Sequence, residues 1–264
     1  MDERLVSFAA VAFTNEAEAY ERGRPGYAPD VVDELVGQFM LGPGRRALDL
    51  AAGTGKLTRQ LVASGADLVA VEPLAALRAQ FALALANVQV LDGTAEAIPL
   101  PDASVDAVFV AQAFHWFHAD RALAEIARVL RPGGHLTLLW NDRDGDIEWV
   151  VALDEIMHGE QQEAVALMPG YTAGDEEPAG FARIAAGGLF TPIVPITGRH
   201  APATTEEALV DAVRSRSYVG SLPAHERDAL LERVRTLVAD FPPMFPMPYV
   251  TRAFWCQLLS PTSS

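Results

Sequence analysis

The stretch RRALDLAAGTGKLTRQLVASGADLVAVE, Arg45–Glu72, constrains the fold more than any other part of the chain. It reads strand, glycine turn, helix, strand. Ala47–Ala51 is an apolar run of strand length, too short to be a helix of its own. Gly53 and Gly55 bracket a tight turn in which the missing Cβ lets backbone N–H groups come close to a ligand. Lys56–Ala63 places Leu57, Leu61 and Val62 at helical spacing, so the turn opens on a helix N-terminus. The unpaired N–H groups and partial positive charge of such an end suit a carboxylate or phosphate. Ala66–Val71 is a second strand, and Glu72 at its end is placed to accept both hydroxyls of a ribose. The unit is built to hold a nucleoside-bearing cofactor.

The turn narrows the choice of cofactor. Nicotinamide-binding units carry G-x-G-x-x-G, whereas this turn reads A-A-G-T-G-K-L, without the third glycine. An acid, Asp49, stands inside the strand ahead of the turn, where those units usually have an apolar residue. GTGK also lacks the long spacing of a Walker phosphate loop.

Four ordered segments, LDLAAGTGKLT, VAVEP, VLDGTAEAIPLPDASVDAVFVAQAFHWF and EIARVLRPGGHLTLLWNDRD, resemble the motifs of the class I S-adenosylmethionine-dependent methyltransferases. The likeness is to their type 11 small-molecule branch, and FHWF is similar to members close to trans-aconitate methyltransferase. It covers Phe8–Arg143 well and the remainder loosely. The resemblance implies an α/β, Rossmann-like fold: a seven-stranded, mostly parallel sheet with helices on both faces, an antiparallel last strand and helical cap insertions. It implies S-adenosyl-L-methionine as cofactor, with S-adenosyl-L-homocysteine as product. Carried onto this chain, the cofactor contacts are Asp49, Ala51, Gly53, Gly55, Glu72, Pro73, Thr94, Ala95, Glu96, Gln112 and Trp116. The segment FTNEAEAYERGRPGY resembles the family's N-terminal lid, in which Tyr20 and Arg24 close over the cofactor and Arg24 pairs with its carboxylate. Thr94 is a departure, since the family commonly has an aspartate there for the adenine amino group. A threonine hydroxyl makes a weaker, uncharged bond.

At 264 residues the chain accommodates one methyltransferase domain: lid helices over 1–44, a cofactor-binding core over 45–145, and cap helices with the final strands over 146–264. The formal charge of −15, from 35 acids against 20 bases, speaks against a nucleic-acid partner, which wants a basic surface. No apolar run approaches the ~20 residues that cross a bilayer. MDERLVSFAAVAF starts with acids and does not read as a signal peptide, and the one cysteine, Cys256, suits a reducing cytoplasm. The partner expected is a small-molecule methyl acceptor, with monomer and homodimer both open.

Further elements follow from pattern. Helices are expected over 28–40, 74–86, 121–130, 147–167, 204–215 and 226–238, and strands over 88–91, 104–110, 135–140, 190–197 and 249–259. Arg131–Gly134 is expected to close a helix, Asn141–Asp144 to be a loop, and 169–178 a Gly/Pro/acid loop. His115 and Trp116 lie at the carboxyl end of a strand, the edge where such sheets bind ligands. His115 is the candidate base or substrate contact, because its pKa lies near neutrality. Phe114 and Phe117 fit either the site or ordinary core packing. No metal is expected. Acids after the 135–140 strand would need a second acid where Gln112 and Phe114 stand, and His115-x-x-His118 with Asp120 lacks a fourth ligand. The reading is methyl transfer to a small organic acceptor at oxygen or carbon, with a carboxylate among the candidates. A protein that binds S-adenosyl ligands without turnover, and an NAD-dependent oxidoreductase, are the alternatives.

Overall fold

The computed structural model describes residues 25–165, 181–216, 219–220 and 222–260, with side chains described outside 158–165. The expected lid, with Tyr20 and Arg24, and the 169–178 loop lie outside these residues. Pro29–Gln38 (α1) begins with proline at its first turn, where no N–H is needed, and buries Val31, Val32 and Leu35. Then come β1 (Arg46–Leu50), α2 (Lys56–Leu61) with one 3₁₀ turn over Val62–Ser64, and β2 (Asp67–Val71). They are followed by α3 (Ala75–Ala84), β3 (Gln89–Leu91), β4 (Val105–Ala111), α4 (Ala119–Val129) and β5 (Leu130–Arg143). The second half holds α5 (Glu148–Val165), α6 (Phe181–Ala186), β6 (Val194–His200), β7 (Ala203–Thr204) and α7 (Glu206–Arg214). It ends with α8 (Ala224–Val238), β8 (Phe245–Pro246) and β9 (Tyr249–Gln257).

Seven strands form one sheet in the order β3-β2-β1-β4-β5-β9-β6. β3, β2, β1, β4 and β5 are parallel, and β9 is inserted antiparallel between β5 and β6. The order reverses between β1 and β4, so their carboxyl ends flank a crevice that ligands use in such sheets. Alternation along the strands splits the core. Ala47, Ala107, Phe109 and Leu139 pack with α1 and α2 on one face, and Leu48, Leu50, Val108, Val110 and Leu138 pack with α4 and α6 on the other. A third cluster gathers α5, α7, α8 and β8 around Leu153, Val213, Leu230, Val234 and Phe245.

Two local expectations are corrected. Arg131–Gly134 does not close a helix; it belongs to β5, where the ladder jumps from Leu130 opposite Val105 to His135 opposite Ala107. Gly133 takes φ +77 in this irregularity, and a Cβ on Gly134 would lie 3.0 Å from the Asp106 carbonyl oxygen. Asn141, Asp142 and Arg143 are not loop either, because β9 outlasts β4 and pairs them with Thr251, Val250 and Tyr249. The strand expected over 190–197 is Val194–His200, an edge strand in which Pro195 is tolerated. Thr205 caps α7 as its sequence suggests, accepting from the Ala208 N–H at 3.2 Å.

At the sheet edge away from the crevice, Asp106 joins the amino ends of three strands. It accepts from Arg45 Nη1 at 2.9 Å, the Arg46 N–H at 2.8 Å and Arg131 Nη1 at 2.5 Å. Burial opposes its ionisation, but these donors and positive charges outweigh it and hold the carboxyl below its ordinary range. A depressed carboxyl stabilises the fold above its unfolded pKa, and that stability goes as pH falls through the folded value. Asp106→Asn should therefore lower stability at neutral pH by roughly 1–3 kcal/mol. In urea unfolding, its deficit against the wild type should shrink as pH falls below about 4.

Candidate active site at the carboxyl edge of the sheet

Asp49 sits in the middle of β1, 3% exposed, on the face towards α2. One carboxylate oxygen accepts from both the backbone N–H of Thr58, at 3.1 Å, and its hydroxyl, at 2.5 Å. This bond pins the first turn of α2 to the strand and fixes the loop between them. Burial raises the Asp49 pKa from 3.8 to about 6, against the lowering effect of the two Thr58 bonds. Helix α2 has only six residues, and Thr58 N–H, which would otherwise face outward from its start, serves Asp49 rather than a ligand.

The two glycines of the turn have different jobs. A Cβ on Gly55 would lie 2.6 Å from Leu85 Cδ1 and 2.8 Å from Phe81 Cδ2, so this glycine admits α3 against the turn. A Cβ on Gly53 would meet nothing within 4 Å, so Gly53 is the one that opens on free space. Gly55 thus has a packing role beside the ligand approach expected of it. At the end of β2, Glu72 Oε2 accepts from the Gly53 N–H and Oε1 from the Leu74 N–H across Pro73, both at 2.9 Å. Glu72 is 4% exposed, and burial raises its pKa from 4.5 to about 7 despite those donors and Arg78. Ala51, after β1, and Gln112, after β4, both take φ +59, a left-handed conformation that costs non-glycine residues free energy. Such strain at the ends of the two central strands marks a site.

The loop after β3 and the segment after β4 meet beside this turn. Ala95 is buried, and Thr94 bridges Ala97. Glu96 Oε1 accepts from the His118 N–H at 2.9 Å, tying the loop to the start of α4. Burial alone would raise Glu96, yet the His118 N–H, its own N–H and the Thr94 hydroxyl leave it lowered. Arg128 on α4 clamps the same loop through the carbonyls of Ile98 and Leu100. Phe114 and Phe117 are core residues, 5.6 Å apart ring to ring, whereas His115 and Trp116 are half-buried, with centroids 5.2 Å apart. His118 is exposed and Asp120 pairs with Arg183, so these do not gather with His115. Among the described residues no three His, Cys, Asp or Glu side chains cluster as a metal would need.

On the other side of Gln112 a cleft opens to solvent. Its floor is Gln112, Asn141 and Arg143 at the sheet edge, and α7 with Met247 and Tyr249 forms the far wall. Pro25, Tyr27, Lys56 and Arg216 complete it. Asn141 is a hub: its Nδ2 donates to the Gly26 carbonyl at 2.9 Å, and its Oδ1 accepts from the Thr251 hydroxyl at 2.7 Å and lies 3.1 Å from His200 Nε2. Gln112 Nε2 donates to the Asn141 carbonyl at 3.0 Å. Gln60 on α2 exchanges two hydrogen bonds with the Tyr27 backbone, at 2.7 and 2.8 Å, so the base of the N-terminal segment is fixed at two points.

Comparison with known proteins names this arrangement. Residues 48–138 match the family of methyltransferase domains. An uncharacterized methyltransferase of Mycobacterium tuberculosis is 42% identical over 249 residues, 92% of this chain and 93% of its own. The chain belongs to the class I S-adenosylmethionine-dependent methyltransferases. A solved structure from Anaeromyxobacter dehalogenans, assigned as a type II methyltransferase, aligns with TM-score 0.57 and 27% identity over 90% of this chain and 97% of that one. Phosphoethanolamine N-methyltransferase 2 of Haemonchus contortus, solved with phosphomonomethylethanolamine and S-adenosylhomocysteine, shares the fold at TM-score 0.59. It is 16% identical over 97% of this chain and 60% of its own.

In this methyltransferase the structure brings Asp49, Ala51, Gly53, Glu72, Pro73 and Gln112 to one crevice, with the 94–96 loop and the 115–116 turn beside it. Sequence reasoning missed Thr58, Gln60, Asn141, Thr251 and the cleft-lining Arg143 and Arg216. Their partners lie far along the chain, as Asn141 and Thr251 do, and no local pattern announces them. The glycine contrast is testable by denaturant unfolding. Gly55→Ala should cost ~2–4 kcal/mol, combining left-handed backbone with overpacking, and Gly53→Ala only ~1–2 kcal/mol. Glu72 sets a pH slope as well. The folded cofactor-free protein holds a proton that the unfolded chain releases above pH 4.5, so this residue's contribution falls as pH rises from 4.5 through about 7. Glu72→Gln should show a flatter stability profile across that window, whatever its absolute stability.

Proposed function

We propose that this methyltransferase transfers a methyl group to a small organic molecule, at oxygen or carbon rather than nitrogen, with a carboxylate-bearing acceptor favoured. The observation that carries the reading is the cleft that Gln112 shares with Lys56, which follows the glycine turn, and with Asn141 and Arg143 at the end of β5. The acidic composition, which disfavours nucleic acid as acceptor, supports the small-molecule part of the reading.

S-adenosylmethionine supplies an activated methyl group when bound. The residues present fit it. Glu72 places a carboxylate at the end of β2, where ribose hydroxyls are held in this topology. Gly53 leaves its Cβ space open, and Ala51 and Gln112 hold strained backbone on either side of the crevice. Ala95, Glu96 and Trp116 are assigned to the adenine end, and the resemblance adds Tyr20 and Arg24, outside the described residues, as lid contacts. Asp49 acts through Thr58 by fixing the turn. The chain's remaining task is to align the acceptor and exclude water, and such positioning is worth up to ~7–11 kcal/mol. A carboxylate acceptor needs no base; for a phenol or carbon acid, His115 is the group placed to take the proton.

Calorimetry with S-adenosylmethionine, S-adenosylhomocysteine and NAD tests the assignment of residues. The S-adenosyl pair should bind and NAD should not. Glu72→Ala should weaken S-adenosylhomocysteine at least tenfold, the loss of about 1.5–3 kcal/mol in hydrogen bonds to a charged group. Unchanged affinity would remove Glu72 from the cofactor site.

A further inference from the structure

The charge of the acceptor cleft is opposite to that of the chain. Acids outnumber bases 35 to 20 overall, yet the charged side chains that line the cleft, Lys56, Arg143 and Arg216, are all cations. Arg143, at the end of β5, has its side chain only 12% exposed. It is ion-paired with Asp154 and directed at Met157 Sδ, 3.7 Å away, both on α5. Its position is fixed and its charge is largely balanced. Arg216 differs. It follows the last turn of α7, its N–H donating to the Val213 carbonyl at 3.1 Å, a helix end that favours a cation. Among the described residues no carboxylate lies within ion-pair distance of its guanidinium. The acid closest in electrostatic influence, Asp142, is itself paired with Arg252 at 3.8 Å.

A guanidinium with open donors at the rim of a cleft is matched in geometry to a carboxylate, which it can hold by two parallel hydrogen bonds. We propose that Arg216 is the specificity-determining residue of the acceptor cleft and holds an anionic anchor, a carboxylate, on an acceptor whose methylated atom is a separate group closer to Gln112. This rests on the cleft being the acceptor site. The two groups must be separate because a carboxylate gripped by a guanidinium has its lone pairs committed to N–H donors and is a poor nucleophile. The nucleophilic group forms its new bond to the methyl carbon while the sulfur–methyl bond breaks and its electron pair returns to sulfur. The acceptor is then at least bifunctional, with its anchor at α7 and its reacting atom at the sheet edge.

The test uses the full-length protein saturated with S-adenosylhomocysteine. Propane-1,2,3-tricarboxylate and its neutral triamide are titrated calorimetrically into the wild type, Arg216→Gln, Arg216→Lys and Arg216→Glu. The tricarboxylate should bind the wild type and the triamide at least tenfold more weakly. Arg216→Gln should lose at least tenfold for the tricarboxylate, Arg216→Glu more, and Arg216→Lys should recover part of the affinity. Binding of S-adenosylhomocysteine should be the same in all four, showing that the fold and crevice are intact. Equal binding of the triamide, an unaffected Arg216→Gln, or no tricarboxylate binding to the wild-type complex would overturn the proposal. Failure of the wild type to bind S-adenosylhomocysteine would instead overturn the reading of the crevice, so the two failures are distinguishable.

Discussion

The bond from Thr58 to Asp49 is the constraint on which the rest of the site depends. A carboxylate in the middle of a buried strand is costly unless it is satisfied, and here the first turn of α2 satisfies one of its two oxygens with an N–H and a hydroxyl. That choice fixes where α2 begins, and therefore the path of the five residues between strand and helix. The path requires Ala51 and Gly53 at positive φ and Gly55 packed against Phe81. With the turn fixed, the Gly53 N–H faces the end of β2 and meets Glu72. One hydrogen-bonded acid thus positions a second.

Both acids carry raised pKa values, and for the same leading cause. Asp49 and Glu72 lie within reach of each other's charge; the Thr58 N–H and hydroxyl oppose the rise at Asp49, and two backbone N–H groups with Arg78 oppose it at Glu72. A site that keeps a carboxylate close to its titration range near neutrality binds hydroxyl groups well, because either form accepts a hydrogen bond and the ionised one accepts more strongly.

Much of this was legible before the structure. The alternation of Leu48, Asp49 and Leu50, the glycines and the terminal Glu72 are local features, and local features survive folding. The seven-stranded, mostly parallel sheet followed from the resemblance, and β9 lies antiparallel as that resemblance implies. The errors were at places where a distant strand decides. Asn141–Arg143 looks like a polar loop in sequence, and becomes strand only because β9 runs past the end of β4. Arg131–Gly134 has turn composition, and becomes the irregular start of β5 because Asp106 draws Arg131 back to the sheet. The packing role of Gly55 was hidden as well, since nothing nearby in sequence reveals that Phe81 and Leu85 need its space. For Arg216 there was no signal at all: an arginine after a helix reads as solvated surface until α7 is seen leaning over the sheet edge.

That lean follows from packing. The segment between β6 and β9 carries its own apolar cluster, in which Leu209, Val210 and Val213 of α7 meet Leu230 and Val234 of α8 and Leu153 and Met157 of α5. Because α5 leaves directly from the end of β5, this cluster is anchored at the same strand terminus that supplies Asn141 and Arg143. The wall of the cleft and its floor are therefore one construction. Changing the length or sequence of the β6–β9 insertion would move α7 and Arg216 relative to Gln112 without touching Asp49 or Glu72. In a fold whose cofactor crevice is set by two short strands and a turn, acceptor choice is free to vary because a separate hydrophobic cluster supports it. The net charge of −15 weighs against a nucleic-acid acceptor but says nothing about which small molecule the cleft takes. At the scale of a single cleft the nearest few side chains dominate, since surface charges further away than about 8–10 Å are largely screened at ordinary ionic strength.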